Sequence, residues 1–434
     1  MRKISLVLCC VLVFFWASNQ SHGAGFLIYE HGAAAMAMGG AFVAVANNPS
    51  AIWHNPAGIA FLKGTRFSVG TTLITSDSSL ELTNWPVSSQ RNWDQVKQTF
   101  YPSNVYFTQS IGDKVTVGFG FFSPYGLGAK WAEESDQARY LAFPLRYLGY
   151  KDDLKTFFFN PVIGVKLTDQ FSLGLGVSYI YSTVSFNLVK VAELGLYGTY
   201  DVPAALEGTG HSFSWNAGLL YRGEKFSFGL NYRSAFTIDF KGDLTLDTSL
   251  VPAPLQPYVP TGSPGATSFK CPHILGAGIA FNLTNQFLLT ADIHYVLWSK
   301  FDALVVTFDN PQVETLELSE DWKDAFTYRA GLQYMVSEGF ALRAGIIYDT
   351  TPQPAKSIDP LLPDANRLAL TAGFGYKIGP FVVDLAYQYE TFNDRKAPNR
   401  SDVLEAYQIG QLNLGEGLYK TTAHLLGISL SFVF

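Results

Sequence analysis

The sequence predicts an all-β chain, a 14-stranded antiparallel transmembrane β-barrel with an N-terminal plug (hatch) in its lumen. Three observations carry that prediction. From about residue 66 to 434, large apolar residues alternate with small or polar ones at a period of two. Tight polar turns alternate with long connections. A chain that opens like an exported protein then contains no apolar run long enough to cross a bilayer as a helix.

Residues 1–23 read as a secretory signal. Arg2 and Lys3 form the charged start, Ile4 to Trp16 the apolar run, and Ser21-His22-Gly23 a small-x-small cleavage site, so the mature chain is expected to begin at Ala24. Cys9 and Cys10 belong to the signal; Cys271 is then alone, and no disulfide framework is expected. Lys and Arg number 30 against 36 Asp and Glu, and the signal removes two of the basic residues. That negative balance argues against nucleic acid as a partner. Only 15% of residues are charged while another 15% are aromatic. An exported chain this apolar, without spanning helices, has one other way across a membrane: a closed barrel.

The strands follow in pairs. Phe171, Leu173, Leu175, Val177, Tyr179 and Tyr181 alternate with Ser172, Gly174, Gly176, Ser178, Ile180 and Ser182. Phe287, Leu289, Ala291, Ile293, Tyr295 and Leu297 alternate with positions that include Thr290, Asp292 and His294. Similar dyads fill residues 328–336, 340–348, 368–378 and 381–389. Six hairpins turn at Gly112-Asp113-Lys114, Thr168-Asp169-Gln170, Gly223-Glu224-Lys225, Thr284-Asn285-Gln286, Ser337-Glu338-Gly339 and Gly379-Pro380. A first strand near Arg66 to Thr75 and a last one from Thr422 to Phe434 bring the number to fourteen. The long segments, about 76–102, 124–155, 187–210, 241–269, 300–325, 349–366 and 392–420, match extracellular loops, and the short turns match periplasmic ones. A soluble sandwich or propeller would also alternate, but with a polar outer face. Here Phe, Leu, Tyr, Val and Ile take one face of nearly every strand, and Gly, Ser, Asn, Arg and Asp the other. Parity places Arg233, Arg329, Arg343 and Lys377 in the lumen with Asp239, Asp292, Asp349 and Asp384. Those charges are expected to pair with one another or with the plug.

Residues 24–65, ahead of the barrel at 66–434, do not alternate. They are rich in Ala, Gly and Met, and carry Asn47-Asn48-Pro49-Ser50 and Trp53-His54-Asn55-Pro56-Ala57-Gly58. Small residues allow close backbone packing and Asn-Pro interrupts regular structure. The low charge argues against a disordered arm, so this segment is expected to plug the lumen.

Taken in order, Ala24-Gly25-Phe26, Gly39-Gly40-Ala41, Asn55-Pro56-Ala57-Gly58, Ser123-Pro124-Tyr125-Gly126-Leu127, Asn231-Tyr232-Arg233-Ser234, Asp321 through Phe326 and Asp349 through Pro354 give the whole mature chain its likeness. It resembles the outer-membrane long-chain fatty-acid transporters, a family that includes channels for monoaromatic hydrocarbons. The resemblance implies a hatch, loops that capture an apolar ligand, and lateral release into the membrane beside a kinked third strand. It places the gate at Asn55, Pro56 and Ala57, near Gly118 and Gly120 of that strand and Pro124 after it. The two glycines can equally be lumen-facing positions that make room for the plug. Ligand contact is expected from the loop after strand three, at Tyr125, Leu127, Trp131, Tyr140, Leu141 and Phe143, and less from Leu194, Leu196, Tyr197 and Leu206 after strand five. Such aromatics could instead form an interfacial belt. A fatty carboxylate would favour a basic partner, and Arg329 with Arg343 is the best-placed pair. Strand five, Phe171 to Leu188, has no Lys or Arg, which keeps a neutral hydrocarbon ligand open.

The terminal Phe434 closes a strand in which Phe432, Leu430, Ile428 and Leu426 share one face. This ending resembles the signal read by the outer-membrane barrel assembly machinery, an expected partner alongside membrane lipid, lipopolysaccharide and a hydrophobic small molecule. An enzyme is not expected: G-x-S-x-G and H-E-x-x-H are absent, and the seven histidines are scattered without metal-ligand spacing. No cofactor or metal site is expected, and uptake is predicted to be passive. A general porin is the third possibility, against which the plug-like start argues.

Overall fold

The computed structural model describes residues 25–82, 91–398 and 417–434; the expected secretory signal and cleavage site fall outside them. Fourteen strands close into one barrel. They are β1 Thr65–Leu82, β2 Ser103–Ile111, β3 Val115–Phe122, β4 Lys151–Lys166, β5 Phe171–Glu193, β6 Thr199–Arg222 and β7 Phe226–Arg233, followed by β8 Ile274–Asn282, β9 Phe287–Val296, β10 Ala325–Ser337, β11 Phe340–Asp349, β12 Arg367–Ile378, β13 Phe381–Phe392 and β14 Gly417–Val433. Each pairs antiparallel with the next. The ring closes where β1 meets β14, from Arg66 opposite Val433 to Leu82 opposite Gly417. Closure leaves no sheet edge, so the backbone groups of the wall are satisfied without water.

All six tight turns fall where the sequence places them, at one end of the barrel. The outer face is greasy. Leu173, Leu175, Val177 and Tyr179 of β5 are exposed, while Ser172, Ser178 and Ser182 between them are buried. The same inversion holds on β14, where Leu426, Ile428 and Leu430 face outward and Leu425 and Ser429 inward. This is the polarity of a barrel in lipid, not of a sheet in water.

At the other end several strands outgrow their expected limits. β5 and β6 run on together until Glu193 opposes Thr199, so residues 187–210 are mostly ladder and not loop. Beyond β7 the chain adds a second ribbon, Phe236–Leu246 paired with Gly262–Cys271. Its alternation is that of a water-soluble strand: Phe236, Ile238 and Phe240 are buried while Asp239 and Lys241 are exposed. Asp239 is therefore not in the lumen, because Ser234 and Ala235, outside the ladder between Arg233 and Phe236, shift the parity. Lys377 keeps inward parity but is exposed near the Gly379-Pro380 turn. The other six charges assigned to the interior are buried or half-buried there.

Residues 26–62 are almost wholly buried and pack against the inward face of the wall. Wall side chains hold them by their backbone: Ser429 Oγ accepts from Ala33 N (2.9 Å), Thr371 Oγ1 accepts from Gly39 N (3.0 Å), and Asp292 Oδ2 accepts from Val43 N (2.8 Å). On the opposite wall Ser172 Oγ donates to Ala57 O (2.8 Å) and Asn231 Nδ2 to His54 O (2.6 Å). Groups that would each cost about 1–3 kcal/mol if buried unpaired are thereby satisfied.

Candidate ligand-binding site

The Asn55-Pro56-Ala57 turn is built by its own first residue. Asn55 caps a short 3-10 helix, Pro56–Phe61, by accepting from Ala57 N (3.1 Å), and its amide donates to Val43 O (2.8 Å) and to Leu219 O of β6 (3.1 Å). The turn presses on β5 and β6: a Cβ at Gly174 would lie 2.2 Å from Pro56 C, and one at Gly218 2.1 Å from Asn55 Oδ1. The 3-10 helix that the turn opens reaches the third strand through Ile59, 3.4 Å from a Cβ at Gly118. Gly118 and Gly120 of β3 face Ile52 and Ile59, with a Cβ at Gly120 reaching 2.9 Å from Ile52. Their role visible in the contacts is to admit the N-terminal segment.

The bend in the third strand lies after those glycines. β3 pairs with β4 up to Phe122 opposite Phe158 and resumes at Gly126 opposite Lys155, with one extra residue on the β3 side. That bulge contains Ser123, Pro124 and Tyr125, and Pro124 has no N–H for a ladder. Thr156 holds the bulge, accepting from Tyr125 N (3.1 Å) and donating to Tyr125 O (2.7 Å). On the β2 side the ladder stops at Val105 opposite Phe121, so Ser103 and Asn104 pair with β1 alone. The wall has a break there, beside which Phe100 packs on Gly128.

At the long-loop end an apolar cleft holds about 1110 Å³ of free space, part of it open to solvent. Phe26 and Leu127 form part of its floor with Leu154, Phe240, Phe269 and Trp322. Its acidic lining residues, Asp152, Asp153, Glu207, Asp243, Glu320 and Asp359, outnumber the basic ones, of which there is Lys241. Of the loop residues expected to touch ligand, Leu127 lines the cleft and Tyr125 lies one ring beneath it, 6.0 Å from Phe26. Trp131, Tyr140 and Phe143 do not line it. They form a separate core that caps the barrel, with Trp131 stacked on Phe143 at 5.3 Å and donating to Pro360 O (2.7 Å). A long loop needs its own apolar core, and these rings supply it. Leu196 and Tyr197 are exposed, whereas Leu206 joins the cleft from β6.

Arg329 and Arg343 do not converge. Arg343 forms an ion pair with Asp384 (2.6 Å) and donates to Gln333 (2.8 Å). Arg329 stands opposite Asp292, donates to Gly39 O (3.1 Å) and covers the Tyr29 ring at 4.1 Å. Most of the cleft escaped sequence reasoning because its residues come from five separate connections. The one available signal was the soluble-type alternation from Phe236 to Leu246, which marks a strand standing above the bilayer.

A family model described as Outer membrane protein transport protein (OMPP1/FadL/TodX) matches residues 14–434. The chain belongs to this family. Among curated relatives, the long-chain fatty acid transport protein of Salmonella typhi is 27% identical over 83% of this chain and 85% of its own length. That of Escherichia coli K12 is 26% identical, again over 83% and 85%. Among solved structures, a FadL homologue from Pseudomonas aeruginosa superposes with a TM-score of 0.81 at 17% identity, covering 95% of this chain and all of that one. The Ralstonia pickettii toluene transporter TbuX gives 0.67 at 18% identity, covering 93% and 98%. These two likenesses concern the fold: an outer-membrane barrel of FadL type, with fourteen strands.

Proposed function

We propose that this FadL-family barrel takes up hydrophobic compounds across the outer membrane without an energy source or a catalytic step. The observation that carries the reading is the apolar cleft at the loop end, joined through Phe26 and Tyr125 to the break beside β3. Compounds captured in the cleft gain roughly 0.8 kcal/mol for each methylene they bury, so an acyl chain burying ten gains roughly 8 kcal/mol before the costs of association. The N-terminal segment acts as the hatch, with Asn55, Pro56 and Ala57 as its hinge against β5 and β6. Exit is lateral, between β2 and β3 at Pro124, into the surrounding lipid, so that the solute never pays for transfer to periplasmic water. Lipopolysaccharide and membrane lipid surround the barrel, and the assembly machinery reads Phe434. Relatives named for long-chain fatty acids and for toluene both support a hydrophobic cargo.

A cysteine pair tests the exit. Ser103→Cys with Ser123→Cys, oxidised to a disulfide, would tie β2 to the bulge; Cys271 is buried and does not compete. Uptake of labelled oleate or toluene should fall to background on oxidation and return on reduction. Full uptake by the cross-linked barrel would overturn lateral release.

A further inference from the structure

Among the described residues three histidines face out of the barrel: His211 on β6, His273 just ahead of β8 and His424 on β14. All three are held in the same way. Tyr179 Oη lies 2.6 Å from His211 Nδ1, Tyr232 Oη 2.8 Å from His273 Nδ1, and Tyr387 Oη 2.7 Å from His424 Nδ1. Each tyrosine stands on a strand that rises from a tight turn, and each histidine on the descending side of a neighbouring strand. The step between them is diagonal: His211 directly opposes Tyr181 and His424 directly opposes Tyr389, two residues beyond the bonded tyrosine.

The pairs also share a height. Counted from the tight turns, Tyr179 is the ninth residue of β5, Tyr232 the seventh of β7 and Tyr387 the seventh of β13. A strand crosses the hydrocarbon in about 9–11 residues, so the histidines stand at its outer boundary. Outward side chains change character there. On β14, Leu430, Ile428 and Leu426 lie below His424 and Lys420 above it; on β6, Trp215 and Phe213 lie below His211 and Thr209 above it. One ladder step above the His211 row runs Lys155, Thr183, Thr209 and Lys241, paired across four strands. Two carboxylates near these lysines are engaged: Asp153 with Lys155 (2.5 Å) and Glu81 with Lys420 (3.9 Å). Asp239, opposite His211, accepts from Ser268 (2.6 Å).

The tight-turn end has aromatics but no such pairs. There Phe171 meets Tyr221 at 4.9 Å, Phe226 meets Phe281 at 5.0 Å and Phe381 meets Phe432 at 4.0 Å. Rings that only filled the head-group depth would serve alike at both boundaries. The chemistry of the pairs is that of a donor. Ala235 N also donates to His273 Nδ1 (3.0 Å), which makes that nitrogen the acceptor and keeps the ring proton on Nε2. The same tyrosine contact occupies Nδ1 of His211 and His424, and among the described residues no protein group accepts from Nε2 of any of the three.

We propose that the three tyrosine–histidine pairs dock phosphates of the lipopolysaccharide around the barrel, each Nε2–H donating to a phosphate oxygen. Lys155 and Lys420, just above, supply positive charge. The surface continues the lipid-facing band upward, and phosphorylated glycolipid is what meets it on the loop side. This rests on the lipopolysaccharide surroundings proposed above and is independent of the cargo.

The test uses the full barrel refolded into detergent, and two probes, diphosphoryl lipid A and the same lipid A stripped of its phosphates. Wild type should bind the phosphorylated form at least about tenfold more tightly. The combined variant His211→Phe, His273→Phe and His424→Phe keeps a ring at each place and removes the donors. It should bind the two forms within about twofold of each other, with the stripped form unchanged. His424→Phe alone should lose part of the preference, and it serves if the combined variant fails to refold. Equal binding of both forms by wild type, or an undiminished preference in the variants, overturns the docking role. Binding of neither form overturns the lipopolysaccharide contact altogether, and with it this role.

Discussion

The lumen arginines separate by what their N–H groups meet. Arg329 donates to Gly39 O, a carbonyl of the N-terminal segment, and faces Asp292, whose other contact is Val43 N of the same segment. It therefore clamps the segment to β9 and β10 through Nη1, while its Nε is buried without a partner. Parity made the inward direction of Arg233, Arg329 and Arg343 legible in the sequence. Their partners were not legible, because Gly39 and Asp384 come from segments that only the closed ring brings near. Arg329→Met should cost about 1–3 kcal/mol, since it leaves Gly39 O buried without its donor. A guanidinium titration of the barrel reads that loss, and affinities for oleate and for oleyl alcohol should drop by the same factor. A loss confined to oleate would make Arg329 a ligand residue.

At the scale of the element, the third strand shows how a sequence signal can be right and its interpretation incomplete. Gly118, Gly120 and Pro124 mark a weak strand, and β3 does end early on its β2 side. The glycines themselves lie in continuous ladder on both sides, and Ile52 and Ile59 explain them. The bend belongs to Pro124 and the extra residue. The Asn55-Pro56-Ala57 turn shows the complementary case. Its composition announces a break in regular structure, but nothing local tells which strand it will touch. The matching positions on β5 and β6, Gly174 and Gly218, stand among other small inward residues such as Ser172, Gly176 and Ser214, so they do not stand out in the sequence. Gly218→Leu should displace this turn, because even its Cβ would lie 2.1 Å from Asn55 Oδ1. Overpacking of this kind costs about 1–3 kcal/mol, less than a closed barrel holds, so the hatch should yield before the wall. In planar bilayers the variant should pass steady ion current where wild type is nearly silent. Silence in both would mean that the segment stays seated without its Asn55 contacts to β6.

For the whole molecule, period-two alternation and turn spacing made strand number, closure and the lipid-facing surface readable, since each is a repeated local pattern and errors in one strand are outvoted by the others. The loop end was not readable in that way. The cap around Trp131 and Phe143 and the cleft around Phe269 and Trp322 are assembled once, from contacts far apart in sequence. The terminal residue joins the two regimes. Phe434 contributes backbone to closure, donating to Thr65 O (2.9 Å), while its ring is 72% exposed and stacks on Phe432 at 4.9 Å. A backbone contact survives a side-chain change, and an exposed ring in lipid adds little that alanine would lose apart from one stacking contact of about 1 kcal/mol. Phe434→Ala should therefore shift unfolding of the assembled barrel by no more than about 1 kcal/mol, yet lower several-fold the amount that reaches the outer membrane. The two effects separate when the protein is refolded from urea into detergent, where the assembly machinery is absent and the variant should fold as completely as wild type. A variant that refolds poorly in detergent would show that the ring acts on stability, and the role of Phe434 as an assembly signal would fall.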